Sequence, residues 1–87
     1  MTQKEIMDIL RPKIAWQLGV PEKAVKRTAA YYDDLGADEM DVVTLIMMVE
    51  DTFDITVNEQ LLFPSSIYEA TVWDSIRCIQ RKLKGKR

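Results

Sequence analysis

Three stretches of this chain repeat apolar residues at the spacing of a helix, and this pattern constrains the fold more than any other feature. The stretches carry Ile6, Leu10, Ile14 and Leu18; Val42, Ile46, Val49 and Phe53; and Val72, Ile76, Ile79 and Leu83. Residues three or four positions apart share one face of a helix, so each stretch predicts a helix with one buried side. Three such helices in 87 residues suit one compact unit. We therefore expect a single all-α domain over residues 1–87.

Capping residues predict where the outer helices begin and end. Thr2 with Glu5, and Thr71 with Asp74, have the three-residue spacing of a capping box, in which a hydroxyl and a carboxylate accept each other's backbone amides. Gly19 should end the first helix, because glycine adopts the left-handed conformation that follows many helices. Because Thr71 and Asp74 have the spacing of a capping box, the last helix should begin after Thr71.

The second helix is predicted to begin at Asp38. Asp38 would be its N-cap, and Glu39 and Asp41 in the first turn would interact favourably with the positive helix end. Asn58 is predicted to cap a short helical turn that ends at Leu62. The fold is thus expected to have three main helices and one short helix.

The connection over residues 20–37 is unusually long for a compact domain, so apolar residues must hold it against the core. The candidates for this role are Val20, Val25, Tyr31, Tyr32 and Leu35. Pro12 lacks a backbone donor and predicts either a kink in the first helix or a later start. Phe53, Trp16 and Trp73 are interpreted as core or half-buried residues.

Charge is strongly segregated along the chain. Residues 1–30 have six basic and three acidic side chains, residues 31–74 have eleven acidic and no basic ones, and residues 75–87 have six basic and no acidic ones. A long acidic segment attracts basic partners and repels nucleic acid, although solubility alone is an alternative explanation. The basic end, residues 80–87, is expected to be frayed and to place cations at the negative end of the last helix.

Composition excludes several classes of protein. The chain has no histidine and one cysteine, Cys78, which excludes His-dependent triads, an internal disulfide and nearly all zinc sites. No acidic pair lies in a recognisable catalytic motif, so we expect neither catalysis nor a dedicated metal site. No apolar run approaches the roughly 20 residues of a membrane span, and no signal peptide is recognised. We expect a cytoplasmic monomer that does not bind nucleic acid.

One segment resembles a family signature. Residues 34–43 read Asp-Leu-Gly-Ala-Asp-Glu-Met-Asp-Val-Val and resemble the D-L-G-A-D-S-L-D-x-V signature of acyl carrier proteins. Residues 17–20, 49–55 and 70–76 resemble three further landmarks of that family, in the same order. The resemblance implies the family's four-helix bundle with a long first connection. It covers most of the chain.

Glu39 occupies the position of the family's attachment serine. In acyl carrier proteins that serine bears 4′-phosphopantetheine, whose thiol carries acyl groups. A carboxylate cannot accept the arm in the same linkage, so no cofactor is expected with Glu39, and 4′-phosphopantetheine would be expected if residue 39 were serine. Glu39 could be an ordinary first-turn acid, the mark of a natural relative that kept only the docking surface, or a substitution in a genuine carrier of fatty acid, polyketide or related biosynthesis. We favour the natural non-carrier.

The resemblance also implies a docking surface. The residues concerned are Asp38, Met40, Asp41, Val43, Met47 and Asp51. Methionines at helical spacing are more often core, but relatives present the positions of Met40 and Met47 to partner enzymes. An apolar centre with an acidic rim suits a transient interface. We expect it to bind basic surfaces of acyl-processing or acyl-carrier-binding proteins.

Other positions depart from the family pattern. Thr44 and Thr52 stand where relatives usually have acids, and about four extra residues lie around positions 62–66. Ser75 follows Asp74 in a second Asp-Ser pair, which we interpret as exposed helix-capping sequence and not as an attachment site.

Overall fold

The computed structural model describes residues 1–85, and helices are the only regular secondary structure in that range. The α-helices are α1 (Gln3–Leu18), α2 (Val42–Phe53), α3 (Glu59–Leu62) and α4 (Val72–Lys84), and a 3-10 helix covers Glu22–Ala24. The expected all-α bundle of three main helices and one short helix, with a long first connection, is confirmed.

The predicted start of α1 is confirmed. The amide of Glu5 donates to the hydroxyl of Thr2 at 3.1 Å, and the amide of Thr2 donates to the Glu5 carboxylate at 2.8 Å. The hydrogen bond from the Thr2 backbone amide also lowers the pKa of the Glu5 carboxyl, because it stabilises the charged form. The helix continues through Pro12 to a left-handed Gly19, so the alternative of a later start is wrong. A capped helix of this length with a buried face tolerates the loss of one backbone hydrogen bond.

Helix α4 begins as predicted and contains all of its predicted apolar stripe, from Val72 to Leu83. Asp74 and Thr71 form the expected capping box, with the Thr71 amide donating to Asp74 Oδ2 at 2.9 Å. The helix continues to Lys84, so residues 80–84 are helical, and fraying of this basic end stays a prediction. Basic side chains in its last turn favour this continuation, because they lie near the negative helix end. Lys86 and Arg87, which the fraying prediction also covered, lie outside the described residues.

The core is formed by one face of each main helix. The predicted positions that are buried are Ile6, Leu10, Ile14, Val42, Val49, Phe53, Val72, Ile76 and Ile79. Leu18 and Leu83 are partly buried against them. In α2 the buried face also includes Leu45, and the predicted core residue Ile46 is partly buried against the core, as Leu18 and Leu83 are. The face follows i, i+3, i+7 from Val42, which places position 46 at its edge.

The long connection is held by some of its predicted anchors. Val25, Tyr31 and Leu35 are buried, Val20 is partly buried, and Tyr32 is 48% exposed. Tyr32 therefore does not belong to the core. The ring of Tyr32 instead packs edge-on against the ring of Tyr68, which is also exposed, with centroids 4.9 Å apart.

Tyr31 connects this segment to the last two helices. Its hydroxyl donates to the hydroxyl of Ser75 at 2.7 Å, and Ser75 donates to the Leu62 carbonyl at 2.9 Å. Ser75 is buried, so the prediction that it is exposed is wrong. Burial raises the pKa of the Tyr31 phenol far above its usual range. Because each buried polar group has a partner, the network fixes the connection without leaving an unsatisfied hydroxyl.

The two tryptophans differ in how much of each side chain is exposed to solvent. Trp73 is half-buried, as predicted, and the guanidinium of Arg27 lies 4.1 Å from the centroid of its ring. Trp16 is 89% exposed, so its prediction as a core or half-buried residue is wrong. Position 16 is about 200° around the helix from both Ile14 and Leu18, which places it opposite the buried face.

Gly36 shapes the turn that leads to α2, and its replacement should be costly. Its φ of +73° is left-handed, where an L side chain is strained although a Cβ would meet no atom within 4 Å. Gly36→Ala should therefore lower the free energy of unfolding by about 1–2 kcal/mol, measured by urea denaturation. The control is Gly85→Ala, because Gly85 has a right-handed φ of −80° and the added methyl would make ordinary contacts. Equal losses in both variants would contradict the conformational explanation.

Candidate docking surface

The segment before α2 is a turn and not the first turn of the helix. The helix begins at Val42 with Asp41 as its N-cap, so the predicted N-cap at Asp38 is wrong by three residues. The Asp38 carboxylate accepts the amide of Met40 at 2.9 Å, and the Asp41 carboxylate accepts the amide of Asp38 at 3.0 Å. These side chains satisfy backbone donors locally, which stabilises a turn in place of a helical turn. Asp38 thus caps one backbone amide, that of Met40, within this turn and not at the start of α2.

Glu39 lies in the turn, three residues before the helix starts, and its side chain is exposed. Within residues 1–85 its carboxylate has neither a hydrogen bond nor an ion pair. The interaction of a charge with a helix dipole falls off beyond the terminal turn. The interpretation of Glu39 as a stabilising first-turn acid therefore loses its structural basis.

Beside this turn lies a group of exposed apolar side chains, which we call the apolar ridge: Met40, Val43 and Met47. Their exposed fractions are 84%, 65% and 57%. The alternative that Met40 and Met47 belong to the core is wrong. Exposed apolar side chains that cluster with polar neighbours are typical of interaction sites, so docking through the ridge stays a prediction.

The three predicted acidic docking residues, together with Glu39, divide into two pairs. Asp38 and Asp41 are half-buried, and their carboxylates hold the turn. Glu39 and Asp51 are exposed and face solvent. In the described part of the chain, neither pair forms an ion pair with a basic side chain; the ion pairs there join Asp8 to α1 neighbours. The acids near the ridge therefore keep their full negative potential.

An exposed feature that the sequence reasoning missed lies next to α2. Trp16, from α1, borders a groove whose far side is formed by Thr44 and Met48. The signal was present in the sequence, since Trp16 falls off the apolar stripe of α1. It was overlooked because tryptophan is usually well buried.

Glu39 does not provide the chemical group to which a phosphopantetheine arm is attached. Attachment needs a hydroxyl in the exposed turn, and Glu39 supplies a carboxylate. The hydroxyl of Ser75 lies in the core and is already hydrogen-bonded to Tyr31 and Leu62. Neither position 39 nor position 75 therefore offers an accessible hydroxyl for attachment.

The described residues do not form a metal site or a reactive cysteine site. Across residues 1–85 no three acidic or cysteine side chains form a group that could hold a metal ion. Cys78 is buried, and burial raises the pKa of its thiol, which disfavours the nucleophilic thiolate. None of the helices in this part of the chain is both long and apolar enough to cross a bilayer.

These features define a small helical carrier-type domain whose exposed turn leads into an exposed helix face. The family model described as "Phosphopantetheine attachment site" matches residues 8–66 of the chain. The chain belongs to this family, in agreement with its resemblance to acyl carrier proteins. Domains of this family are carriers that enzymes act upon and not catalysts themselves, and they bind acyl-processing enzymes.

Proposed function

We propose that this chain is a non-carrying member of the family that docks on basic protein surfaces through α2 and the turn before it. The observation that carries the proposal is the exposed apolar ridge beside Glu39. The positions that the resemblance implies for docking, Met40, Val43 and Met47, are exposed, while position 39 lacks the serine that attachment requires. Loss of the arm together with retention of the face is what a docking module without a carrier role requires.

Charge and apolar area have separate roles in this proposal. The ridge supplies the area that is removed from water on binding, which gives affinity. Glu39 and Asp51 lie at the edge, where exposed charges mainly steer the encounter and select partners of opposite sign. A basic partner surface is therefore favoured over an acidic or neutral one.

Reversal of Asp51 tests the charge contribution. Asp51→Lys should weaken binding to a phosphopantetheinyl transferase, an enzyme that acts on carrier domains, by about fivefold to tenfold at low salt, because a like charge would face the basic enzyme surface. The measurement is the Kd by calorimetry at two salt concentrations. Asp51 is preferred to Asp41, since a lysine at position 41 would also break the turn.

The matched control is Glu69→Lys, which makes the same change in net charge on the connection between α3 and α4. It should leave the Kd within twofold of wild type. Equal binding by wild type and Asp51→Lys at low salt would contradict the proposed charge steering, and absence of wild-type binding would contradict docking altogether.

A second candidate function is a genuine carrier in which glutamate replaces the serine. It is favoured by the intact Asp-Leu-Gly-Ala-Asp sequence immediately before position 39. Intact mass and peptide mapping over residues 28–53, on the protein from its native source, separate the two. An unmodified Glu39 supports the non-carrier. A serine bearing 4′-phosphopantetheine at that position would identify a working carrier.

We also propose that the protein is a cytoplasmic monomer that takes part in acyl metabolism. These proposals are based on the sequence and on the family resemblance. The acidic segment over residues 31–74 supports the proposed absence of nucleic-acid binding, because it would repel phosphate groups.

A further inference from the structure

A cavity of about 360 Å³ lies between α3 and α4, and we call it the α3–α4 cavity. Its lining residues are Leu61 from α3 and Cys78, Arg81 and Lys82 from α4. Pockets that bind small molecules usually have volumes of about 300–1,000 Å³. The α3–α4 cavity therefore has room for a small molecule.

Two of the lining side chains are apolar, and they come from different helices. Leu61 is 41% exposed, so much of its apolar area remains in contact with water. Cys78 is buried, and burial raises the pKa of its thiol, so the thiol stays neutral and behaves as a small apolar group. An aliphatic chain bound against these two residues would be removed from water together with Leu61.

The other two lining side chains are cations. Arg81 and Lys82 are exposed, and neither forms an ion pair within residues 1–85. They follow Cys78 by three and four positions, so they lie one helical turn beyond it and on either side of it. An anionic group above Cys78 would therefore receive charge-assisted hydrogen bonds from two directions.

Charge in the α3–α4 cavity has one sign. Among the described residues, none with an acidic side chain lines it. The one acid of α3, Glu59, lies two positions before Leu61 and therefore on a different side of that helix. The cavity beside the 3-10 helix differs, because Asp34 lines it together with Lys23 and Lys26.

The hydrogen-bonding capacity of the lining residues narrows the ligand further. The side chains of arginine and lysine donate hydrogen bonds and do not accept them. A protein segment, including one from a second copy of this chain, brings backbone N–H donors that would meet no side-chain acceptor here, and an unpaired donor removed from water is costly. A ligand whose single polar group is an anion brings no such donor.

We propose that the α3–α4 cavity binds a small amphipathic anion, an alkyl carboxylate, without a covalent bond. The carboxylate lies between Arg81 and Lys82, and the alkyl chain lies against Leu61 and Cys78. Both halves of the ligand thus match the side chains that line the cavity.

This inference goes beyond the proposed docking function and does not depend on it. Helices α1 and α3 each pack against both α2 and α4, which places α2 and α4 at opposite corners of the bundle. The α3–α4 cavity and the apolar ridge have no residue in common. Binding at one surface can therefore be measured separately from binding at the other.

Decanoate is the probe, and 1-decanol, which has the same chain without a charge, is its control. Both are titrated into the full chain at pH 7 by calorimetry, below the concentration at which decanoate forms micelles. Decanoate should bind at least about tenfold more tightly, because only its head is attracted by the two cations. Octanoate should bind about tenfold more weakly than decanoate, because each buried methylene contributes about fourfold.

Paired variants test the two cations. Replacing Arg81 and Lys82 together by glutamine should weaken decanoate binding about tenfold. The matched control replaces Arg77 and Lys84 by glutamine, which removes the same charge from exposed positions of α4 that do not line the cavity. The control should change the Kd less than about twofold, because exposed charges outside the cavity are screened by water and salt.

Amide chemical shifts locate the bound ligand. In NMR spectra of the isotope-labelled chain, decanoate should shift the amide signals of Leu61, Cys78, Arg81 and Lys82. The amide signals of Met40 and Met47 on the apolar ridge should not shift. This measurement needs no variant, so it does not depend on whether a substitution affects folding.

Several results would overturn the inference. These are equal binding of decanoate and decanol, equal weakening by both paired variants, or shifts confined to residues outside the α3–α4 cavity. Binding to phosphatidylserine vesicles without binding of decanoate would assign the cations to a membrane surface. If decanoate binds as described but the transferase does not bind, the docking function fails and the cavity stands; the reverse pair of results would leave docking and remove the cavity.

Discussion

Phe63→Ala is expected to lower the free energy of unfolding by about 3–5 kcal/mol, the usual cost of deleting a buried phenyl ring. Phe63 is almost completely buried, and its ring packs edge-on against Tyr31 with centroids 5.0 Å apart. Its removal leaves a cavity beside the hydroxyl network of Tyr31, Ser75 and Leu62. Small domains have a total stability of about 5–15 kcal/mol, so this one change should remove a large part of it.

The matched control for Phe63→Ala is Tyr68→Ala. Tyr68 also packs edge-on against another ring, that of Tyr32, at 4.9 Å, but it is 42% exposed. Its loss should cost only about 0.5–1.5 kcal/mol, because little area returns to water and no cavity forms. Urea denaturation followed by circular dichroism measures both variants. Similar losses in the two would show that the ring pair, and not burial, determines the cost.

Glu39→Ser is expected to turn an unmodifiable chain into one that is modified on residue 39. Position 39 lies in an exposed turn, and the apolar ridge beside it is exposed. The obstacle to attachment is the carboxylate of Glu39, which stands where a hydroxyl is needed. In the described residues the Glu39 side chain has no hydrogen bond or ion pair, so replacing it with serine breaks no interaction. The assay is incubation with a phosphopantetheinyl transferase and coenzyme A, followed by intact mass and peptide mapping.

The control for this experiment is Glu39→Gln, which removes the charge without adding a hydroxyl. It should remain unmodified, like the wild type. If Glu39→Ser also stays unmodified, the carrier alternative loses its main support, and the departures at Thr44 and Thr52 are the next positions to test for loss of recognition by the transferase. Modification of wild type would place the arm on a different residue and contradict the assignment of position 39.

Local sequence predicted well those elements that local interactions stabilise. The capping boxes of α1 and α4 and the Asn58 cap of α3 are as predicted, because each cap depends on residues three positions apart. The start of α2 was predicted wrongly because its acidic residues also have a local alternative to capping the helix. Asp38 and Asp41 supply carboxylates that stabilise a turn as readily as a helix, and sequence alone does not choose between them.

The sequence by itself determined the all-α fold, the helical faces that form the core and the absence of a hydroxyl at position 39. Periodicity specifies which side of a helix is apolar, but not which other helix lies beside it. Only the tertiary structure brought Trp16 of α1 next to Met48 of α2, and only it buried Ser75 against Tyr31. Both pairings join residues more than thirty positions apart, and such contacts depend on how helices pack and not on local preference.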